Sequence, residues 1–395
     1  VAFDLDLVIV GGCGRVGLPL GLAFADRGLS VSLFDVNERA VGQVNNGEMP
    51  FVEDGANEVL ARVGSTLRAT TSAADVSRAE HVLVVIGTPV DEHLDPRPTA
   101  VPDAVKALAP HLRDGQLLVL RSTLYPGVTA MVERLIAELG VQVEVAFCPE
   151  RIAEGAALRE LFDLPQIVAS RTPNGQARAE KLFSALTAST VPLSPEEAEL
   201  AKLFTNTWRY IKFATANQLF MIANDFGLDF GRIRAAMTFD YPRAADLPGA
   251  GFAAGPCLLK DTMQLAAFSN NNFVLGHASM MVNEGLPLYI VSKMEEAFDL
   301  GNSTVGVLGM AFKGGSDDTR DSLAYKLRRI LRFKARNVLC TDPHVTTDAS
   351  LVSLDNVLKE ADVLVLAAPH PEYRDLPTTT PLVDVWGFTG MNTQV

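Results

Sequence analysis

The chain is poor in positive charge. Its 34 Lys and Arg stand against 47 Asp and Glu, a formal net charge of −13 in 395 residues. A nucleic-acid-binding surface is basic overall, so that class is excluded. An anionic small ligand is not, because a local Arg or Lys, or the N–H groups of a helix start, suffice to hold one. Cysteine is scarce too. Cys13, Cys148, Cys257 and Cys340 are scattered, with no CxxC pair. That argues against a disulfide framework or a zinc site and fits a reducing, cytoplasmic setting. The six histidines show no metal-ligand spacing, so no metal is expected. No uninterrupted apolar run reaches about 18 residues, so no membrane span is expected. The opening VAFDLDLVIVGG carries acidic residues and no basic run, and it reads as a strand rather than a signal peptide.

What is present suffices for more than one core. Hydrophobic residues make up 48% and charged residues 21%, an ordinary globular composition. The length suggests about two or three domains of ~150 residues. In the first region, strand patterns at Leu5–Val10, Ser30–Asp35, His81–Ile86, Gln116–Leu120 and Gln142–Phe147 alternate with helical ones such as Arg15–Arg27. Alternation of this kind predicts a parallel sheet with helices on both faces.

The middle region is helical. SPEEAELAKLFTNTWRYIKFATANQLFMIANDFG opens with Ser194 as N-cap, Pro195 at the first helical position and Glu197 completing a capping box, and Gly227 suits the stop. The helix spans about 32 residues, or ~48 Å at 1.5 Å per residue, too long for one ordinary domain. It is expected to connect two lobes. Its apolar residues run nearly all round (Leu203, Phe204, Trp208, Ile211, Phe213, Leu219, Phe220, Met221), which favours a homodimer over burial inside one chain. The third region repeats the first in outline, with STVGVLGMAFK as strand and loop, a helix over Ser322–Ala335, and strands at Asn337–Asp342, Ala361–Ala367 and Pro381–Val385.

Gly12, Gly14 and Gly17 form GxGxxG directly after the first strand. The glycines allow a tight turn, close approach of a pyrophosphate and helix–strand packing. Asp35 ends the second strand, eighteen residues after Gly17, where a carboxylate accepts hydrogen bonds from a ribose hydroxyl. It would repel a 2′-phosphate, so NAD is favoured over NADP. Arg15 and Val16 in the same turn, Thr88 in VIGTP and Thr123 in RSTLYPG are assigned to this cofactor site. Cys13 is small filler. The fold class is therefore α/β, with two Rossmann-like parallel-sheet domains joined by a long central helix and a helical middle domain. The boundaries fall at 1–193, 194–300 and 301–395.

One cysteine stands apart. In AGFAAGPCLLKD, Cys257 follows a glycine-rich loop and precedes a helical pattern, with Lys260 and Asp261 three and four places on. A thiolate is the reactive form of a group whose ordinary pKa is about 8.5, and a helix start or a neighbouring ammonium favours it. Asp261 reads equally as that helix's N-cap or as a general base. A dehydrogenase with such a thiol can hold an aldehyde as a thiohemiacetal and oxidise it to a thioester. A buried structural cysteine is the rival reading. In EAELAKLFTN, Lys202 and Asn206 share a helix face and could stabilise an oxyanion. In AFCPERIAEG, Glu150 follows a strand end, where α/β proteins place ligand sites.

These stretches together resemble the UDP-glucose/GDP-mannose dehydrogenase family over nearly the full length. The matches are GGCGRVGLPLG, VIGTP, RSTLYPG, CPERIAEG, EAELAKLFTN, GFAAGPCLLKD, GVLGMAFKGGSDDTRDS and TDPH, in the family's order. The resemblance implies a four-electron oxidation of the C6 hydroxyl of a nucleotide sugar to a carboxylate, with two NAD reduced. It implies Cys257 as nucleophile, Lys202 and Asn206 as the oxyanion pair, Asp261 and Thr123 as positioning or activating water, and Glu150 as acid/base in the thioester step. It assigns Glu150, Arg151, Lys202, Asn206, Arg243, Phe252, Gly255, Lys313 and Arg320 to the UDP-sugar, with Arg243 reaching across a dimer interface. For Arg320, pairing with Asp317 or Asp321 is the rival.

The substrate marks are mixed. GLPLG and PERIAEG resemble members acting on UDP-N-acetylhexosamines, whereas PCLLKD resembles the UDP-glucose type. UDP-N-acetylmannosamine is the first expectation and UDP-glucose the second. A two-electron hydroxy-acid dehydrogenase and a non-catalytic dinucleotide sensor are the rivals of other classes.

Overall fold

LDLVIV forms strand β1 (Leu5–Val10), and its alternation sends side chains to two separate cores. Leu7 and Ile9 pack with Leu18, Leu22 and Phe24 on one face, while Val8 and Val10 pack with Val105 and Val132 on the other. A strand buried on both faces belongs in the middle of a parallel sheet. In the computed structural model, which describes residues 3–88, 90, 91, 93 and 95–390, that sheet has eight strands. They are β1, β2 (Val31–Phe34), β3 (Leu67–Thr70), β4 (Ala79–Val84), β5 (Leu117–Leu120), β6 (Glu144–Phe147), β7 (Gln166–Ser170) and β8 (Thr190–Leu193). Their order is β3-β2-β1-β4-β5-β6-β7-β8. All neighbours run parallel except β6 and β7. The order reverses beside β1, and ligands of open α/β sheets bind at the carboxyl ends of strands at such a switch point.

The chain divides into two compact units, one ending at Thr205 and one starting at Asn206. The division falls within a single helix, Pro195–Asp225. Its start is the capping box expected from the sequence: Glu197 Oε2 accepts from Ser194 N–H at 2.9 Å, and Glu197 N–H donates to Ser194 Oγ at 3.4 Å. Gly227 ends the turn at φ +66°.

In the second unit four parallel strands, β9 (Thr304–Leu308), β10 (Asn337–Thr341), β11 (Val363–Leu366) and β12 (Leu382–Val383), lie in the order β10-β9-β11-β12. The helical stretch before them does not build a core of its own. Phe220, Phe252, Leu286 and Ile290 share one core with Val305, Val307, Val363 and Val365. Among the described residues no helix is long and apolar enough to cross a membrane. Pro89 of VIGTP and the final MNTQV lie outside the described residues.

Candidate active site

In the first unit, the turn after β1 is built by glycine. A Cβ on Gly12 would lie 2.7 Å from Ile9 O, and one on Gly17 would overlap Gly11 O. Gly14 is different: it is exposed, and its Cβ would meet only Gly11 O at 3.4 Å. Packing does not demand glycine there, and the bare backbone leaves room for a ligand to approach closely. The helix Gly17–Asp26 follows, with Val16 at its N-cap making no side-chain cap. Its first N–H groups thus favour an anion. Asp35 is held in place, its two oxygens accepting from Cys13 N–H and Asn37 N–H at 3.0 Å each. These features fit a dinucleotide. The Thr88 hydroxyl donates to Thr123 O at 2.9 Å and ties together the loops after β4 and β5. Arg15 lies 5.0 Å over the Phe51 ring. Burial, with Asp35 adding to it, pushes the Cys13 thiol up to about 12, so it is inert filler.

Glu150 stands at the carboxyl end of β6, and both its oxygens are engaged. One accepts from the guanidinium of Arg121, the other from the N–H groups of Arg151 (2.7 Å) and Ile152 (3.0 Å). Arg121 is itself buried and also donates to Cys148 O and Gln166 Oε1. Arg151 donates to Pro165 O. As seen, Glu150 shapes its loop. To act as an acid or base it must change partners.

Two further carboxylates fix these segments. Glu53 accepts from Gly155 N–H (2.8 Å) and Ala157 N–H (2.7 Å) and so holds the PERIAEG loop. Glu199 accepts from Gly127 N–H, Thr129 N–H and Thr129 Oγ1, joining the long helix to the RSTLYPG segment. Lys202, one turn on from Glu199, is buried.

In the second unit, Asn206 Nδ2 donates to Asp261 Oδ2 at 2.6 Å, with both residues buried. The Lys260 ammonium lies 3.0 Å from Asp261 Oδ1, an ion pair without hydrogen-bond geometry. Asp261 is not the helix cap. The helix runs Leu258–Phe268, its N-cap is Cys257 itself, and Asp261 N–H donates to Cys257 O at 2.9 Å. All four cysteines are thiols, and Cys257 alone is exposed. Cys257 thus stands at the positive end of the helix, a placement that favours a thiolate.

Lys313 lies in the loop after β9, its ammonium 5.8 Å from the Phe312 ring centre. That loop is held at both ends. Asp342 accepts from Met310 N–H and Ala311 N–H, and Gly315 N–H donates to His370 Nδ1. Arg320 does have an acidic neighbour: Asp318 lies 2.6 Å from its guanidinium. Arg243 is exposed and donates to the Tyr241 hydroxyl at 2.9 Å. Phe252 is buried edge-on against Trp386, in the shared core. Among the described residues one group, His344, His370 and Glu372, has metal-ligand spacing. Both His370 nitrogens already have partners, Gly315 N–H and Asp342, so the cluster reads as hydrogen-bonded structure.

Comparison with known proteins divides the chain by role. Residues 6–187 match the NAD binding domain of the UDP-glucose/GDP-mannose dehydrogenase family, residues 196–284 its central domain and residues 306–389 its UDP binding domain. The UDP-N-acetyl-D-mannosamine dehydrogenase of Pyrococcus horikoshii is 30% identical over 384 residues, 93% of this chain and 90% of that protein. That of Salmonella typhi is 31% identical over 399 residues, 93% of this chain and 94% of that one. The solved UDP-glucose dehydrogenase of Pyrobaculum islandicum has a TM-score of 0.91 at 27% identity, over 98% of this chain and 96% of that one. These matches define an NAD-dependent nucleotide-sugar dehydrogenase. The chain belongs to the UDP-glucose/GDP-mannose dehydrogenase family.

Proposed function

We propose that this chain oxidises the C6 alcohol of a UDP-N-acetylhexosamine to a carboxylate, with UDP-N-acetylmannosamine as the first substrate. One observation carries the reading. The exposed thiol, Cys257, caps a helix whose first turn holds Lys260 and Asp261, and Asp261 is bonded to Asn206.

Gly12, Gly14, Arg15, Val16, Gly17, Asp35, Thr88 and Thr123 would hold NAD, which would supply the hydride acceptor for both two-electron oxidations. The chain's own residues do the rest. The alcohol loses its O–H proton to a base and a hydride from C6, and so becomes an aldehyde. The Cys257 thiolate adds to the aldehyde carbon, giving a thiohemiacetal. Lys202 and Asn206 hold the resulting oxygen, where charge develops. After the second oxidation the adduct is a thioester. Water, positioned by Asp261 and Thr123, adds to its carbonyl, and the thiolate leaves. Alcohol, two NAD⁺ and one water thus become carboxylate, two NADH and three protons. Glu150 serves this last step only by exchanging its Arg121 and backbone partners. Lys313, Arg320, Arg151, Arg243 and Gly255 hold the nucleotide sugar, and buried Phe252 backs the loop from behind.

The sugar assignment follows the names of the relatives. PCLLKD and the likeness to a UDP-glucose dehydrogenase support UDP-glucose as the second reading. A homodimer accounts for the exposed apolar side chains of the second unit, among them Phe226 (79% exposed), Phe239 (84%) and Met281 (72%). Patches of this kind mark interaction surfaces.

The test is NADH yield at completion with limiting UDP-N-acetylmannosamine, UDP-N-acetylglucosamine or UDP-glucose. Two NADH per sugar from one of them, abolished in Cys257→Ser, is the expected result. One NADH per sugar, indifferent to Cys257→Ser, would replace this reading with a two-electron dehydrogenase.

A further inference from the structure

The loop that presents Cys257 is not an ordinary surface loop. Ala250, Phe252 and Ala253 are buried, as are Gly251 and Gly255, and exposure returns only at Cys257. Its start is gripped through the main chain by fully buried Asn217. The Asn217 amide donates to Gly251 O at 3.0 Å and accepts from Gly251 N–H at 2.8 Å.

Both glycines of the buried stretch face aromatic rings of the UDP binding domain. A Cβ on Gly251 would overlap the Trp386 ring, and one on Gly255 would lie 2.6 Å from Phe312 Cδ2. Gly255 also has φ +100°, a conformation that side chains resist. Its N–H points to Asp321 O at 3.4 Å. Trp386 lies just beyond β12, and Phe312 stands beside Lys313 in the loop after β9. Trp386 also meets Phe252 edge-on, with centroids 6.4 Å apart. The rings fill the space that side chains at 251 and 255 would need, so the loop has one seat.

We infer that Phe312 and Trp386 are positioning residues for Cys257, so that the UDP binding domain itself aims the thiol at the N-cap of its helix. The inference rests on the reading of Cys257 as nucleophile. It adds that the seat is aromatic and lies more than fifty residues further along the chain. Removing either ring slackens the loop and lets the sulfur leave the positive helix end that favours a thiolate.

The experiment is alkylation of the full chain by iodoacetamide without substrate, followed peptide by peptide against pH. The other three thiols are silent reporters: burial pushes Cys13 and Cys148 up to about 12 and Cys340 up to about 11. In Phe312→Ala and Trp386→Leu, Cys257 alkylation at pH 7 is expected to fall about fivefold or more, its pH midpoint to rise, and kcat to fall while KM for NAD holds. Phe312→Leu, which keeps most of the bulk, should recover the rate in part. Phe333→Ala, remote and 85% exposed, should leave it unchanged. Rates within about twofold of the parent in both ring variants, or raised, would overturn the inference. If a variant also exposes Cys13, Cys148 or Cys340, it has unfolded, and Phe312→Leu decides. Two NADH per sugar surviving in Cys257→Ser would instead sink the nucleophile reading, whatever the alkylation rates.

Discussion

The roles proposed for Asp35 and Cys257 turn on their immediate surroundings, and both residues stand out in the sequence. Asp35 ends a strand beside a glycine turn, and its two oxygens are oriented by N–H groups at 3.0 Å. Charged hydrogen bonds of this kind are worth about 1.5–3 kcal/mol each. Asp35→Ala should therefore raise KM for NAD by roughly tenfold or more and narrow the preference over NADP, as initial rates with each cofactor would show. Other side chains were illegible because their partners are remote. Arg121 meets Glu150 across 29 residues, Glu199 meets Thr129 across 70, and Glu53 meets Ala157 across 104. Arg121 left a trace, a cation directly after the apolar run LLVL. Glu53 left none. Asp261 was ambiguous because its spacing from Cys257 suits either role, and only the helix start, at Cys257, separates them.

At the scale of elements, β1 was readable end to end because six residues alternate between two cores. The strands the pattern did not reveal, β3, β7 and β8, are four or five residues long and lie towards the sheet's edges. β8 also contains Pro192 and is half open to solvent, so neither periodicity nor propensity marks it. The loop after β9 shows how an element is held from outside. Burial acts to raise the Asp342 carboxyl, but hydrogen bonds from His370 and from the N–H groups of Ala311 and His344 outweigh it and hold the carboxyl below its ordinary range. A carboxyl depressed on folding stabilises the fold above its unfolded value, near ~3.9, and the contribution is lost as pH falls through the folded value. Asp342→Asn should thus lower the urea midpoint at neutral pH and flatten its decline below about pH 4.

At the scale of the whole chain, the long helix and the second sheet were both foreseen, and the dimer remains to be measured. Sedimentation of the parent protein should give twice the chain mass. Phe226→Asp, which puts a charge on the exposed apolar face, should shift it to one chain at micromolar concentration. What composition did not disclose is where the interior divides. The helical residues before 300 and the strands after it share Phe220, Leu286, Val305 and Val365 in one core. The consequence concerns recombination. A chimaera spliced near residue 300 with a relative about as distant as the 30% identical one would hand one parent's helices another parent's sheet. In a close-packed interior each mismatched methylene is felt. The stretch from the middle of the long helix onward should therefore be exchanged between relatives as a block.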